Sequence, residues 1–167
     1  MNKKTNYPTF AFICRRPAYF CAFGLGSGLL RPASGTWGTL AALGLALPFL
    51  SFLQNIYFAA PFLLCAFMFG VDVCTKTSRA LGIHDHGGIV WDEFVAMWLV
   101  LSLMPAAFMH SVYAIIGAFL AFRFFDIGKP FPINWLDKNT RGGFGIMIDD
   151  IVAAVYALGF LWFIFLV

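Results

Sequence analysis

The stretch VWDEFVAMWLVLSLMPAAFM, Val90 to Met109, decides how the chain folds. Two acids, Asp92 and Glu93, stand directly before Phe94 to Met109, a run without a single charge. An apolar run of this length predicts a helix. The charges confined to one end predict a helix that meets a membrane surface there.

Four further runs share the pattern: Trp37 to Leu53, Ile56 to Val71, Ser111 to Phe125, and Ile151 to Val167. None contains an acid, and Arg123, in the last turn of its run, is the only base. The runs sit at or just below the roughly 17–25 residues that cross a hydrocarbon core. They can extend into flanking semi-polar residues, or pack as a bundle only partly embedded in lipid. Pro48, Pro61 and Pro105 lie inside runs, where neighbouring helices must satisfy the freed carbonyls.

Composition agrees. Of 167 residues 61% are apolar, 21 of them Phe, and only 11% are charged. Soluble domains carry roughly 25% charged residues, so lipid must cover part of this surface. The expectation is an all-α fold: one domain, residues 1–167, forming a compact, membrane-integral bundle of four to five apolar helices. A net charge of +3 without basic clusters interleaved with aromatics excludes nucleic acid as a partner. No obligate protein partner is predicted. Cys14, Cys21, Cys65 and Cys74 form no C-x-x-C pair and read as small buried hydrophobes facing a reducing compartment. Lys3 and Lys4 precede too short an apolar stretch for a cleaved secretory signal.

The linkers set a topology. Gln54-Asn55 and His110 join adjacent runs as minimal turns, whereas Asp72 to Glu93 and Asp126 to Asp150 are long and polar. Threading five runs in alternating directions puts both minimal turns on one side. The N-terminal segment and both polar connections then share the other, with all 11 Lys/Arg and all 8 Asp/Glu. The polar segment 1–30 and Arg31 carry five bases and no acid, which marks that side as cytoplasmic.

The eight acids are Asp72, Asp85, Asp92, Glu93, Asp126, Asp137, Asp149 and Asp150. The pairs Asp92-Glu93 and Asp149-Asp150 immediately precede apolar runs. Acids at helix N-termini cap free amides and offset the macrodipole, which accounts for one carboxylate per helix. Adjacent carboxylates beside an apolar medium raise one another's pKa unless a cation binds them. Converging carboxylates make an oxygen-ligand site suited to Mg²⁺. Residues i and i+1 of a helix do not face each other, so only one member of each pair can point into a shared site.

Three more segments carry chemistry. In FRFFDIGKPFPI, Phe122 to Ile133, Arg123, Asp126 and Lys129 are spaced to share a helix face until Pro130 ends the helix. They form a helix ion pair with a snorkelling lysine, or a metal ligand flanked by two phosphate contacts. In GFGIMIDD, Gly143 to Asp150, preceded by Arg141-Gly142, glycines permit close approach of an anion to a helix N-terminus. In RPASGTWGTL, Arg31 to Leu40, Ser34 or Thr36 is the natural N-cap, and the same amides at Gly35 and Thr36 can hold phosphate. His84 and His86 flank Asp85 in GIHDHGG, a Gly-rich loop without cysteine partners that reads as a loop rather than a zinc site.

Rival phosphatase chemistries lack their spacing. Cys74 and Arg79 are one residue too close for a Cys-x5-Arg loop. PASGTW has Thr36-Trp37 where a PSGH histidine would stand, and neither an aspartyl-phosphate motif nor a P-loop occurs. Metal-activated water remains.

GTWGTL (Gly35 to Leu40), VWDEF (Val90 to Phe94), FRFFDIGKPFPI and GGFGIMIDD (Gly142 to Asp150), in this order, resemble the phosphatidylglycerophosphatase A family of bacterial inner-membrane lipid phosphatases. The resemblance implies an all-helical protein of the bacterial inner membrane. It implies Mg²⁺-dependent hydrolysis of the terminal phosphomonoester of phosphatidylglycerophosphate. Asp92, Glu93, Asp126, Lys129, Asp149 and Asp150 stand in its motif positions. On our assignment Glu93, Asp126 and Asp150 hold Mg²⁺ directly, and Asp92 and Asp149 stand behind them or hold a second ion. Lys129, Arg123, Arg141 and the amides at Gly35 and Thr36 meet the phosphate. A transporter subunit would need ionisable groups at mid-membrane depth, and a non-catalytic scaffold would need its carboxylates only for assembly.

Overall fold

A computed structural model describes residues 7–108 and 111–166, so Lys3, Lys4 and His110 lie outside the described residues. Among the described residues the chain is helical, with no strand. The helices are α1 (Phe10–Ile13), α2 (Pro17–Ala22), α3 (Ser34–Ala46), α4 (Leu50–Gln54), α5 (Ile56–Leu81), α6 (Trp91–Leu103), α7 (Val112–Gly128), α8 (Ile133–Asn139) and α9 (Gly142–Leu166). A short 3₁₀ segment at Leu47–Phe49, carrying Pro48, links α3 to α4, so that Ser34–Gln54 runs on as one apolar rod.

Each apolar run forms helix over most of its length, the run from Phe94 only as far as Leu103, where Met104 turns extended ahead of Pro105, and the helices divide into two classes. Ser34–Gln54, Ile56–Leu81 and Gly142–Ile164 are long and apolar enough to cross a membrane. α6, with 13 residues, is not, and five crossings therefore reduce to three candidates. At 1.5 Å per residue α6 reaches only about 20 Å. Its apolarity has another cause: α6 packs against α3, α5, α7 and α9, and Phe94, Val95, Ala96, Met97, Val100 and Leu101 are all buried. Protein encloses most of α6, leaving Leu103 at its end exposed, so an apolar run here has packing in protein as its cause. α7, with 17 residues, lies at the lower limit of the spanning length.

Two further boundaries depart from the sequence reading. α5 continues well past Val71 and stops at Gly82, whose φ of 65° is a left-handed C-cap. Asp72 is therefore helical and exposed, paired with Lys76 at 2.6 Å. α9 begins at Gly142, so Asp149 and Asp150 lie two turns inside a helix rather than before one. Its first amides have distant acceptors: Gly142 N–H donates to His84 Nε2 at 2.7 Å, and Gly143 N–H to Thr75 Oγ1 at 2.9 Å. Those partners satisfy orphan donors that a helix start leaves open. Gly143 is fixed by space, since a Cβ there would run into the Val71 carbonyl.

Cysteine burial also differs. Cys74 is buried, but Cys14 and Cys65 are exposed, and all four thiols are free. Cys65 lies on the exposed side of α5, beside the exposed apolar residues Leu64 and Met68.

Helix direction collects the polar ends. The starts of α3, α6 and α9 meet the ends of α5 and α7 through the Gly35–Glu93, Arg123–Glu93 and Gly143–Thr75 contacts. At the far end Trp162 Nε1 donates to Leu103 O at 3.0 Å, so α6 and α9 run in the same direction.

Candidate active site

Glu93, in the first turn of α6, is pushed between α3 and α7. Gly35 and Gly38 share the α3 face that meets it. A Cβ at Gly35 would press on Glu93 Oε1, and one at Gly38 would lie 2.8 Å from Oε2. Only glycine lets α3 pass this close. Asp92 beside it turns back, its Oδ1 accepting the Glu93 N–H at 3.0 Å. Capping and clustering are thus divided between the two members of the pair.

From α7, Arg123 and Asp126 project one turn apart on the same face. Arg123 Nη1 lies 2.5 Å from Asp126 Oδ2 and 3.4 Å from Glu93 Oε1. α9 supplies Asp150. One oxygen each from Glu93, Asp126 and Asp150 falls within 4.8 Å of the others. Glu93 Oε2 and Asp150 Oδ2 are buried without a hydrogen-bond partner, as is Arg123 Nε. Three carboxylates from three helices, two with orphaned buried oxygens, match the donor set of a hard divalent cation such as Mg²⁺. Burial pushes the Glu93 carboxyl up to about 8 despite the opposing Arg123 guanidinium, and Asp126 adds to the rise. Asp92 is likewise raised, by burial and then by the Glu93 charge. One arginine does not balance this much buried carboxylate.

Lys129 departs from the expected face. α7 ends at Gly128, and Lys129 adopts a φ of 39°, left-handed backbone that a non-glycine residue occupies only at some strain. The turn carries Nζ away from Arg123, to Asp137 Oδ1 on α8 at 2.9 Å and Asp149 Oδ2 on α9 at 2.8 Å. Burial works against the ammonium, but the bonds to Asp149 and Asp137 outweigh it and raise its pKa above the ordinary lysine value. Asp149 and Asp150, adjacent on α9, thus serve two neighbouring groups: one with Lys129, the other with the carboxylate cluster.

The motif residues that meet here are those of a known family. The sequence model described as phosphatidylglycerophosphatase A matches residues 20–165. The chain belongs to the phosphatidylglycerophosphatase A family. It is 47% identical over 153 residues to the phosphatidylglycerophosphatase A of Haemophilus influenzae, covering 92% of this chain and 91% of that one. It is 44% identical over 151 residues to the Escherichia coli protein of the same name, covering 89% and 83%. A Bacteroides thetaiotaomicron protein, provisionally named a phosphatidylinositol-3-phosphatase, is 34% identical over 149 residues, covering 86% and 92%. No solved structure matches the chain. Membership makes this chain a phosphoric monoester hydrolase.

Other motif residues of this family member are placed less centrally. Gly35 lies against the cluster, and Thr36 follows it in the first turn of α3, half-buried. Ser34 does not cap α3: Ala33 holds the cap position, and the Ser34 hydroxyl donates to the Gly87 carbonyl. Arg141 is exposed before α9, and no hydrogen bond or ion pair joins it to the carboxylates. His86 packs against the rings of Tyr7 and Phe23, and its Nδ1 accepts the Gly88 N–H at 3.0 Å.

The sequence reading took His84 and Asp85 as part of a loop and gave Asp137 no role, yet all three line a cleft with Asp149 beside the cluster. The signals were the His-Asp-His pattern at His84 to His86 and, for Asp137, an acid in the same polar connection as the motifs. A larger cavity, about 520 Å³, lies toward the other end of α3 and is wholly apolar, lined by Leu45, Ala46, Phe49, Phe52, Leu53, Phe62 and Trp98.

Proposed function

We propose that this chain hydrolyses the terminal phosphomonoester of phosphatidylglycerophosphate to phosphatidylglycerol and phosphate, in a Mg²⁺-dependent reaction at the cytoplasmic face of a bacterial inner membrane. The convergence of Glu93, Asp126 and Asp150 within 4.8 Å carries this reading. These three are the residues to hold the ion, with Asp92 and Asp149 behind them. When bound, Mg²⁺ supplies Lewis-acid stabilisation of phosphoryl oxygens and lowers the pKa of a coordinated water.

The chain's own residues do the rest. Arg123 fixes Glu93 and Asp126 through one nitrogen, and its unpartnered Nε is left to meet a phosphate oxygen. First-turn amides of α3 at Gly35 and Thr36 add donors at the same place. Lys129 stands on the Asp149 side and holds positive charge near the alcohol that leaves. Water oxygen bonds to phosphorus, the phosphorus–alkoxide bond breaks, and the leaving oxygen takes up one proton of that water: ROPO₃²⁻ + H₂O gives ROH + HPO₄²⁻. The cytoplasmic side follows from the bases of the N-terminal segment.

The relatives' names describe two alcohols, phosphatidylglycerol and phosphatidylinositol. In both named substrates the carbon next to the phosphorylated carbon bears a free hydroxyl.

Phosphate release by the purified chain from phosphatidylglycerophosphate, with Mg²⁺ or with excess EDTA, tests the reading. Release should require the ion, and Asp150→Asn should abolish it while the protein stays folded. Full activity of Asp150→Asn, or in EDTA, refutes the mechanism.

A further inference from the structure

Beside the carboxylate cluster lies a cleft of about 50 Å³, walled by His84, Asp85, Asp137, Gly145, Ile146 and Asp149. It is large enough for one or two water-sized groups and too small for a ring or a second phosphate. Asp149 is only 5% exposed. Its Oδ2 holds Lys129, while its Oδ1 is buried with no hydrogen-bond partner. A buried carboxylate oxygen without a donor is a costly state that a ligand's O–H would relieve. Lys129 Nζ donates to Asp137 and Asp149 and has a third N–H.

A second metal ion is the obvious rival occupant. Among the described residues, however, only Glu93, Asp126 and Asp150 bring three donor atoms together. The ammonium of Lys129 already bridges two of the carboxylates here. What distinguishes Asp149 among the lining acids is a buried, unmet acceptor on the same carboxylate that holds Lys129, whose third N–H is a spare donor. A hydroxyl group, which both donates and accepts, satisfies both at once.

We propose that the cleft at His84, Asp85, Asp137 and Asp149 binds the hydroxyl next to the phosphorylated carbon of the substrate alcohol. This rests on the hydrolase reading above. Asp149 Oδ1 accepts from that hydroxyl, and Lys129 donates to it. Asp149 and Asp150 are neighbours on α9, so filling the cleft sets the scissile ester against the carboxylate cluster. Lipid phosphomonoesters of polyols are then selected, and phosphatidate is disfavoured, because its neighbouring carbon carries an acyl ester and can donate nothing.

The test compares two substrates of matched acyl chains on the purified full chain in mixed micelles with Mg²⁺. One is phosphatidylglycerophosphate, and the other is its analogue lacking only the neighbouring hydroxyl. The expected kcat/KM ratio in favour of the first is roughly 10- to 150-fold, the range for a hydrogen bond to a charged group. In Asp149→Ala, melting profiles being checked alongside, this ratio should collapse toward one, and in Asp137→Asn, which loosens Lys129, it should fall. Equal hydrolysis of both substrates by the wild type overturns the subsite and leaves the hydrolase reading intact. Variants that lose activity on both substrates by the same factor also overturn it, since their role is then structural. Release from neither substrate overturns both readings.

Discussion

Replacing Gly35 with alanine adds one methyl group to α3 at the point where that helix meets the carboxylates. In an ordinary helix position the change would stabilise by about 0.5–1 kcal/mol, because glycine loses more conformational freedom on folding. Gly44, on the same helix, is such a position: nothing lies within 4 Å of a Cβ placed there. At Gly35 the added carbon would press on Glu93 Oε1 and lie 3.0 and 3.1 Å from the two terminal nitrogens of Arg123. Neither neighbour is free to swing away, since Arg123 is tied to Asp126 and Glu93 is enclosed by α3 and α7. Glu93 must retreat by about 1 Å, and a misplacement of that size at a reacting centre costs on the order of 100-fold in rate. Gly35→Ala is therefore expected to lose about two orders of magnitude in phosphate release and to need more Mg²⁺ for half-maximal rate. Gly44→Ala should keep full activity and melt slightly higher. Mg²⁺ titration of phosphate release, with thermal unfolding of all three proteins, makes the measurement. Wild-type activity and Mg²⁺ dependence in Gly35→Ala would refute the claim that the α3–Glu93 approach shapes the site.

Arg123→Ala leaves Glu93 and Asp126, whose side chains are 11% and 13% exposed, without their cation. Removing one partner of a buried pair costs about 3–5 kcal/mol, so melting in EDTA should fall steeply and Mg²⁺ should restore part of it. A loss equal in EDTA and in Mg²⁺ would separate Arg123 from the proposed ion. His86 gives a pH prediction: burial lowers its pKa below the usual 6.5, Arg31 adds to the drop, and Asp85 opposes it. The unfolded chain then binds the proton more readily, so this contribution is complete above the unfolded value and is lost as pH falls through the folded one. Stability of the wild type should decline on acidification below about pH 6.5. His86→Gln should flatten that part of the profile, and an unchanged slope would assign it elsewhere.

What the sequence made legible was the end of each helix, more than its length. Glu93, Asp126 and Asp150 could be placed together because each lies near the polar end of an apolar run, and alternating runs bring those ends to one side. The length of α6 was illegible for a physical reason. An apolar run wrapped in protein and one wrapped in lipid have the same composition, and only the neighbours of α6 tell them apart. The start of α9 was hidden because its first amides are met by His84 and Thr75, far away in the chain. The turn at Lys129 was hidden because helical spacing predicts a shared face only while the helix lasts, and it ends at Gly128.

The adjacent acids gain their sense from these departures. Successive residues on a helix point about 100° apart, so a pair cannot serve one ion from one position. With Asp149 and Asp150 inside α9, the register itself divides them: Asp150 faces Glu93 and Asp126, and Asp149 faces Lys129 and the cleft. Asp92 and Glu93 divide in the same way, one closing the first turn of α6 and the other entering the cluster. In the proposed reaction a single rigid helix thereby fixes the spacing between the group that holds the phosphate and the group that holds the alcohol. Any shift of α9 along its axis would move both at once. Packing against α5, α6, α7 and α8 leaves it little room to do so.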